Sequence, residues 1–140
     1  MAIRSGKAVW RGDLKTGSGT LQFGSFSAPY SFSSRFEEGA GSNPDELLAA
    51  SHASCFSMAL SNILATAGFT PTSVETTAKV HLEVGSEGAA ITKIDLSCVA
   101  AVPSISQAKF DECANAAKVG CPISKALSAT PISLNTSLQK

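Results

Sequence analysis

Four cysteines and two histidines are the side chains in this chain best suited to nucleophilic or redox chemistry. Two of the cysteines stand in distinctive surroundings. Cys55 lies in a run, Leu47 to Val74, that holds no Asp, Glu, Lys or Arg, and LLAASHASCFSMALSNILATAG reads as one long helix with Cys55 near its middle. Cys121 stands far along the chain in Gly120-Cys121-Pro122-Ile123-Ser124. That places it at or next to the N-cap of a short helix, where unpaired backbone N–H groups favour a thiolate. A cysteine on a buried helix and another at a Gly-Cys-Pro corner suggest a pair brought together by the fold, and hence thiol chemistry. Position alone leaves each residue open. The Gly-Cys-Pro corner serves equally well as a turn, and a mid-helix cysteine among small residues is ordinarily core, its pKa raised by burial.

Cys55 becomes reactive only beside a cation or a base. His52, one helical turn earlier, is one candidate. Arg35 is the other, and it stays charged even when buried. Cys98 falls on the apolar face of an alternating strand and Cys113 on the apolar stripe of a helix, so both read as small core residues. A Cys–His hydrolase built from Cys55 and His52 is disfavoured, because both side chains run along one helix surface. A zinc site from Cys55, His52, Cys113 and Cys121 lacks the short Cys and His spacings of such sites, so no metal and no cofactor are expected. The stronger competitor to a thiol enzyme is a non-catalytic redox sensor or stress-related binding protein with an apolar interface pocket.

The totals narrow the classes further. At 140 residues the chain is expected to be one domain, 1–140. Eleven basic residues balance eleven acidic ones, which gives no electrostatic case for nucleic acid or an anionic membrane. The polar start, MAIRSGKAVWRGD, does not resemble a secretory signal, so reduced thiols in a cytoplasmic protein are expected. The long helix raises the question of a membrane span, but His52, Ser51, Ser54, Ser57, Ser61 and Asn62 would be costly in hydrocarbon. A buried central helix is the expectation. Because it is small or apolar on every side, one protomer has little mass to enclose it, and a homodimer would supply the rest.

The elements follow from pattern. Lys7–Trp10 and Thr20–Phe23 read as strands, and Pro29–Phe36 alternates strictly, with Tyr30, Phe32 and Phe36 on one face and Arg35 on the other. Asn43, Pro44, Asp45 and Glu46 are helix-start signals, while Gly68 and Pro71 are stop signals, giving a helix of roughly 44–67. Residues 74–84 and 91–102 form a hairpin across Gly85–Gly88, with Val74 to Val84 alternating towards the core. Ser104 or Ser106 caps a second helix with stripe Phe110, Cys113, Ala114 and Ala117. Pro122 starts a third, and residues 132–138 form a last strand. N-terminal antiparallel strands, a long central helix, a β-hairpin, two further helices and a final strand make an α+β fold.

Ser34-Arg35-Phe36-Glu37, Asn43-Pro44-Asp45-Glu46-Leu47 and Ala53-Ser54-Cys55-Phe56-Ser57 resemble the osmotically inducible protein C (OsmC) family, which includes the organic hydroperoxide resistance proteins. Ala67–Pro71, Ile91–Ile94 and Gly120–Ser124 extend the resemblance over essentially the whole chain, and Ser34–Glu37 resembles the OsmC branch in particular. The resemblance implies an OsmC-like fold in an intertwined homodimer, with two equivalent sites at the subunit interface and peroxidase chemistry without haem or metal. It puts Cys55 in the place of the peroxidatic cysteine, Cys121 in that of the resolving cysteine and Arg35 in that of the activating arginine. The family's orienting acid is usually a Glu directly after the proline. Here that residue is Asp45, one methylene shorter. Glu46 falls on the opposite helix face from Cys55, so Asp45 is the expected orienter. The implied substrate is an organic hydroperoxide, reduced through a Cys55 sulfenic acid and a Cys55–Cys121 disulfide that a lipoyl-type dithiol reopens.

Overall fold

A computed structural model describes residues 1–139 of the chain. The chain divides into two units, Met1–Leu47 and the remainder from Leu48 onward.

The first unit begins as a three-stranded antiparallel meander, β1 (Gly6–Arg11), β2 (Ser18–Phe23) and β3 (Phe26–Tyr30), in that spatial order. Its first turn is built on Asp13, whose Oδ1 accepts from the backbone N–H groups of Lys15 and Thr16 at 2.9 and 2.8 Å, a side-chain mimic of a backbone turn. Gly19 pairs with Trp10 on one side and Tyr30 on the other. With no side chain between them, those two rings meet at a centroid distance of 5.2 Å.

The expected strand over Pro29–Phe36 stops at Tyr30, and α1 (Phe32–Phe36) is a helical turn. The physical reason is a pair of serines. Ser31 caps the turn by accepting from Ser34 N at 3.1 Å, and Ser34 Oγ accepts from Ser31 N at 2.9 Å, a reciprocal capping box that diverts the backbone from extended pairing. Phe32 and Phe36 share a face in a strand and also in a helix, where they are four apart. Here they meet at 4.9 Å.

The long helix α2 runs Pro44–Thr66. Asn43 Oδ1 accepts from Glu46 N at 2.8 Å, and Pro44 sits where its missing N–H costs nothing. The far end closes as a Schellman motif: Gly68 adopts φ +94° and Phe69 N donates to Leu64 O at 2.9 Å.

In the second unit, β4 (Ser73–Gly85) and β5 (Gly88–Ala101) form an antiparallel hairpin, and β6 (Ile132–Leu138) joins β5 in parallel. Ile94, Leu96, Cys98, Ala100 and Val102 line the core face of β5 and its end, as the alternation predicts. Between His81 and Leu82 the register shifts because Thr92 of β5 is left unpaired, a bulge towards the outer end of the hairpin. Val84, expected to face inward, lies beyond that bulge, one pair from the turn, and is 70 % exposed. From α2, only the stripe His52, Phe56, Leu60 and Leu64 is buried. Its apolar members pack with the β5 residues and with Phe110, Cys113, Ala114 and Ala117 of α3 (Gln107–Gly120). Each fully buried Leu or Phe contributes about 1.5–3 kcal/mol. Ser106, rather than Ser104, caps α3. The last helix, α4, is Pro122–Ala126. The α+β architecture stands as expected, with α1 added to it.

Candidate active site

Cys55 sits at the middle of α2, on the flank of its buried stripe, and is half-buried. Cys121 is wholly buried. It closes one helix and opens the next. Its N–H donates to Ala117 O at 2.8 Å, and its carbonyl accepts from Lys125 N at 3.0 Å. Preceding Pro122, it is held at φ −58°, ψ 124°, the extended region that a following proline favours. This sharp corner between α3 and α4 brings the Cys121 Sγ to 2.9 Å from the Cys55 Sγ, across 66 residues of sequence. Both thiols are free.

The two thiols are not equivalent. Burial pushes Cys55 up, and the hydrogen bond to Cys121 adds to the rise. Burial also acts to raise Cys121, but hydrogen bonds from Cys55, from the Ser124 amide and hydroxyl and from the Ile123 amide outweigh it and bring Cys121 down. The neutral Cys121 thiol makes no capping hydrogen bond; these donors favour it once it is a thiolate. Within this unit Cys121 is therefore the more acidic partner. A groove of about 530 Å³ opens beside Cys55, lined by Ser54, Met58, Ala59, Asn62, Pro122 and Ile123 among others.

His52, one turn before Cys55, is wholly buried, and its Nε2 lies 2.8 Å from Ser124 Oγ. Burial lowers its pKa. It bonds Ser124 rather than Cys55, which leaves the Cys–His hydrolase without its nucleophile–base contact. Among the described residues no three His, Cys, Asp or Glu side chains gather as metal ligands, so the four residues of the imagined zinc site form no such cluster. Cys98 and Cys113 stand in the core, and burial raises the Cys98 pKa. Ser124 is the residue that sequence reasoning missed. Its one signal is its position three residues after the N-cap Cys121, where helix-start side chains and caps meet.

Arg35 and Asp45 belong to the first unit. Arg35 Nε donates to Asp45 Oδ2 at 2.9 Å and Nη2 to Oδ1 at 3.2 Å, so the shorter acid does reach the guanidinium at two points. The guanidinium also lies 5.3 Å from the Phe36 ring centroid. Trp10, Leu14, Tyr30, Phe32 and Phe36 join Arg35 around an apolar pocket of about 370 Å³. The pairs expected from the sequence are thus each assembled: Cys55 with Cys121, and Arg35 with Asp45.

A mixed α+β fold carrying two juxtaposed free thiols, one on a central helix and one at a helix–helix corner, defines a two-cysteine protein of the thiol class. Residues 37–137 match the family described as OsmC-like protein, and the chain belongs to that family. It is 50 % identical over 129 residues to Peroxiredoxin OsmC of Escherichia coli (strain K12), covering 90 % of each chain, and equally so to Peroxiredoxin OsmC of Shigella flexneri. Among solved structures it resembles the organic hydroperoxide resistance protein OhrB of Bacillus subtilis, with TM-score 0.69 and 25 % identity over 99 % of this chain and 100 % of that one. The fold is also shared with an organic hydroperoxide resistance protein OsmC of Legionella pneumophila, with TM-score 0.71 and 22 % identity over the full length of both chains.

Proposed function

We propose that this protein is a cysteine-based peroxidase that reduces organic hydroperoxides to alcohols. The observation that carries the reading is the 2.9 Å separation of the Cys55 and Cys121 sulfurs, in a chain half identical to proteins named peroxiredoxin. Cys55 thiolate attacks the distal oxygen of ROOH. The O–O bond breaks, the alkoxide leaves and takes a proton to become ROH, and Cys55 becomes a sulfenic acid. Cys121 thiolate then attacks that sulfur, displaces hydroxide and forms the disulfide. An external dithiol reduces the bridge and is itself oxidised; the family resemblance points to a lipoyl-type dithiol.

Burial holds Cys55 above its ordinary pKa, so the first step needs a cation. Arg35 is the residue proposed to supply it, oriented by Asp45, and its fork also suits a leaving oxygen on which charge develops. The apolar groove beside Cys55 favours alkyl hydroperoxides over hydrogen peroxide, because each square ångström of alkyl surface buried contributes roughly 25 cal/mol. The 1–140 span is read as a single OsmC-like domain acting in the cytoplasm. It is read as a homodimer because Met58, on the α2 face away from the core stripe, is 75 % exposed and needs cover.

The test is peptide mapping before and after one equivalent of an organic hydroperoxide, together with turnover on a dithiol. The expected result is a new Cys55–Cys121 disulfide with Cys98 and Cys113 still free, and catalytic turnover that Cys55→Ser abolishes. Oxidation without turnover would instead identify a redox sensor, and full activity in Cys55→Ser would remove the assignment.

A further inference from the structure

One wholly buried titratable side chain has no part in the chemistry above. His52 contacts Ser124 Oγ through Nε2 at 2.8 Å, while its Nδ1 is buried with no hydrogen-bond partner. The orphaned nitrogen decides the tautomer. A buried N–H with no acceptor is among the rarest features of folded proteins, and an unpaired acceptor lone pair is the cheaper orphan. Burial also keeps the ring neutral. The single ring proton therefore sits on Nε2 and is donated to Ser124 Oγ.

That bond fixes what the hydroxyl can do. Having accepted from His52, Ser124 has its own O–H free to donate; it is the third residue of α4, the helix that Cys121 caps, and its hydroxyl acts to lower the Cys121 pKa. His52 Nε2 thus stands 2.8 Å from Ser124 Oγ, and three residues before Ser124 the Cys121 Sγ lies 2.9 Å from Cys55 Sγ. All of these residues belong to the unit beginning at Leu48.

Resting on the peroxidase reading, we infer that His52 and Ser124 are positioning residues for its second half-reaction, holding Cys121 as the thiolate that closes the Cys55 sulfenic acid to the disulfide. In that step the Cys121 sulfur forms the S–S bond, the Cys55 S–O bond breaks, and the departing hydroxide takes a proton from solvent to become water. The hydroperoxide has already supplied the oxidising equivalents. Ser124 gives up no proton. Its hydroxyl donates to the anionic sulfur, and His52 keeps that hydroxyl pointing there.

The experiment mixes the full chain with one equivalent of cumene hydroperoxide, quenches rapidly and follows two rates by mass spectrometry across pH: Cys55 sulfenic acid formation and Cys55–Cys121 closure. In Ser124→Ala, losing the donor leaves roughly tenfold less Cys121 thiolate per unit rise in pKa. The less acidic thiol is a better nucleophile, so closure at neutral pH slows by about three- to fourfold. The midpoint of its pH profile moves up by about one unit, while sulfenic acid formation stays near the parent rate. The titratable groups facing Cys121 are Cys55 and, through Ser124, His52, and Cys55 is already oxidised when closure is read. His52→Gln, whose amide N–H can reach the same hydroxyl, retains closure near the parent rate, whereas His52→Leu behaves as Ser124→Ala does.

An unshifted closure profile in Ser124→Ala, an equal slowing of both steps, or a His52→Gln no better than a folded His52→Leu would overturn the inference. If His52→Leu does not fold, Ser124→Ala decides alone. Normal sulfenic acid formation with parent-like closure in Ser124→Ala sinks only this inference. A parent protein that forms no Cys55 sulfenic acid sinks the peroxidase reading, and this inference with it.

Discussion

Asp45 holds Arg35 by both carboxylate oxygens, at 2.9 Å to Nε and 3.2 Å to Nη2, although it is one methylene shorter than the glutamate expected at that position. The carboxylate side chain is largely buried, at 12 % exposure, and the guanidinium is a third exposed. A two-point bond fixes the plane of the guanidinium, which a single contact cannot do. Asp45→Ala is expected to leave Arg35 charged but free to rotate. A hydrogen bond to a charged group contributes about 1.5–3 kcal/mol, which corresponds to a loss of roughly ten- to a hundredfold in kcat/KM for organic hydroperoxide. Asp45→Glu should keep most of the activity. Steady-state kinetics on both variants checks this, and an Asp45→Ala enzyme with parent kcat/KM would remove the orienting role.

Asn43 ties α1 to the start of α2 from both ends of its amide. Oδ1 accepts from Glu46 N at 2.8 Å and Nδ2 donates to Ser34 O at 2.9 Å, and the side chain is buried. Asn43→Ala loses a helix cap and also leaves the Ser34 carbonyl unpaired, a combined cost of about 2–3 kcal/mol. Asn43→Asp keeps the cap and loses only the donor, so it should fall between the parent and the alanine variant. Urea unfolding of the three proteins gives the order; an alanine variant as stable as the aspartate variant would mean the cap contributes nothing.

These examples mark what could be read from the sequence. The bounds of α2 were legible because Asn43, Pro44 and Gly68 act through their own backbone preferences, which need no tertiary partner. The β5 core face was legible because alternation from Ile94 to Val102 is uninterrupted. The period-two pattern of Tyr30, Phe32 and Phe36 misled, since an aromatic pair four apart satisfies a helix equally well and only the Ser31–Ser34 reciprocity chooses between them. The shift at His81/Leu82 leaves no mark in composition. At the site, Cys55 and Cys121 were recognisable by their surroundings, whereas Ser124 was not, because its role depends on a histidine 72 positions away.

Gly19 carries a packing constraint that can be tested optically. A Cβ there would stand 2.5 Å from both the Tyr30 ring and the Val9 carbonyl oxygen. The carbonyl belongs to the paired strand and cannot swing aside, so the Tyr30 ring must give way and separate from Trp10. Gly19→Ala is expected to destabilise the chain by about 2–3 kcal/mol, in the range of overpacked cores. Because Trp10 is the one tryptophan in the sequence, its fluorescence should change in the folded variant. An unchanged emission spectrum with unchanged stability would mean that the meander relaxes around the methyl group.

His52 gives a pH dependence whose sign follows from burial. Its folded-state pKa lies below the ordinary 6.5 because the buried site disfavours the charged ring. As pH falls through about 6.5, the unfolded chain takes up a proton on this side chain that the folded chain refuses. The contribution is therefore fully present above that pH and is lost progressively on acidification towards the folded pKa, with a slope of at most about 1.4 kcal/mol per pH unit. Glutamine does not titrate, so His52→Gln should lack this component while retaining a donor towards Ser124. Urea midpoints for the two proteins between neutral and mildly acidic pH are expected to converge as the parent loses its advantage. Parallel pH profiles would show that the folded ring takes up its proton as readily as the unfolded one.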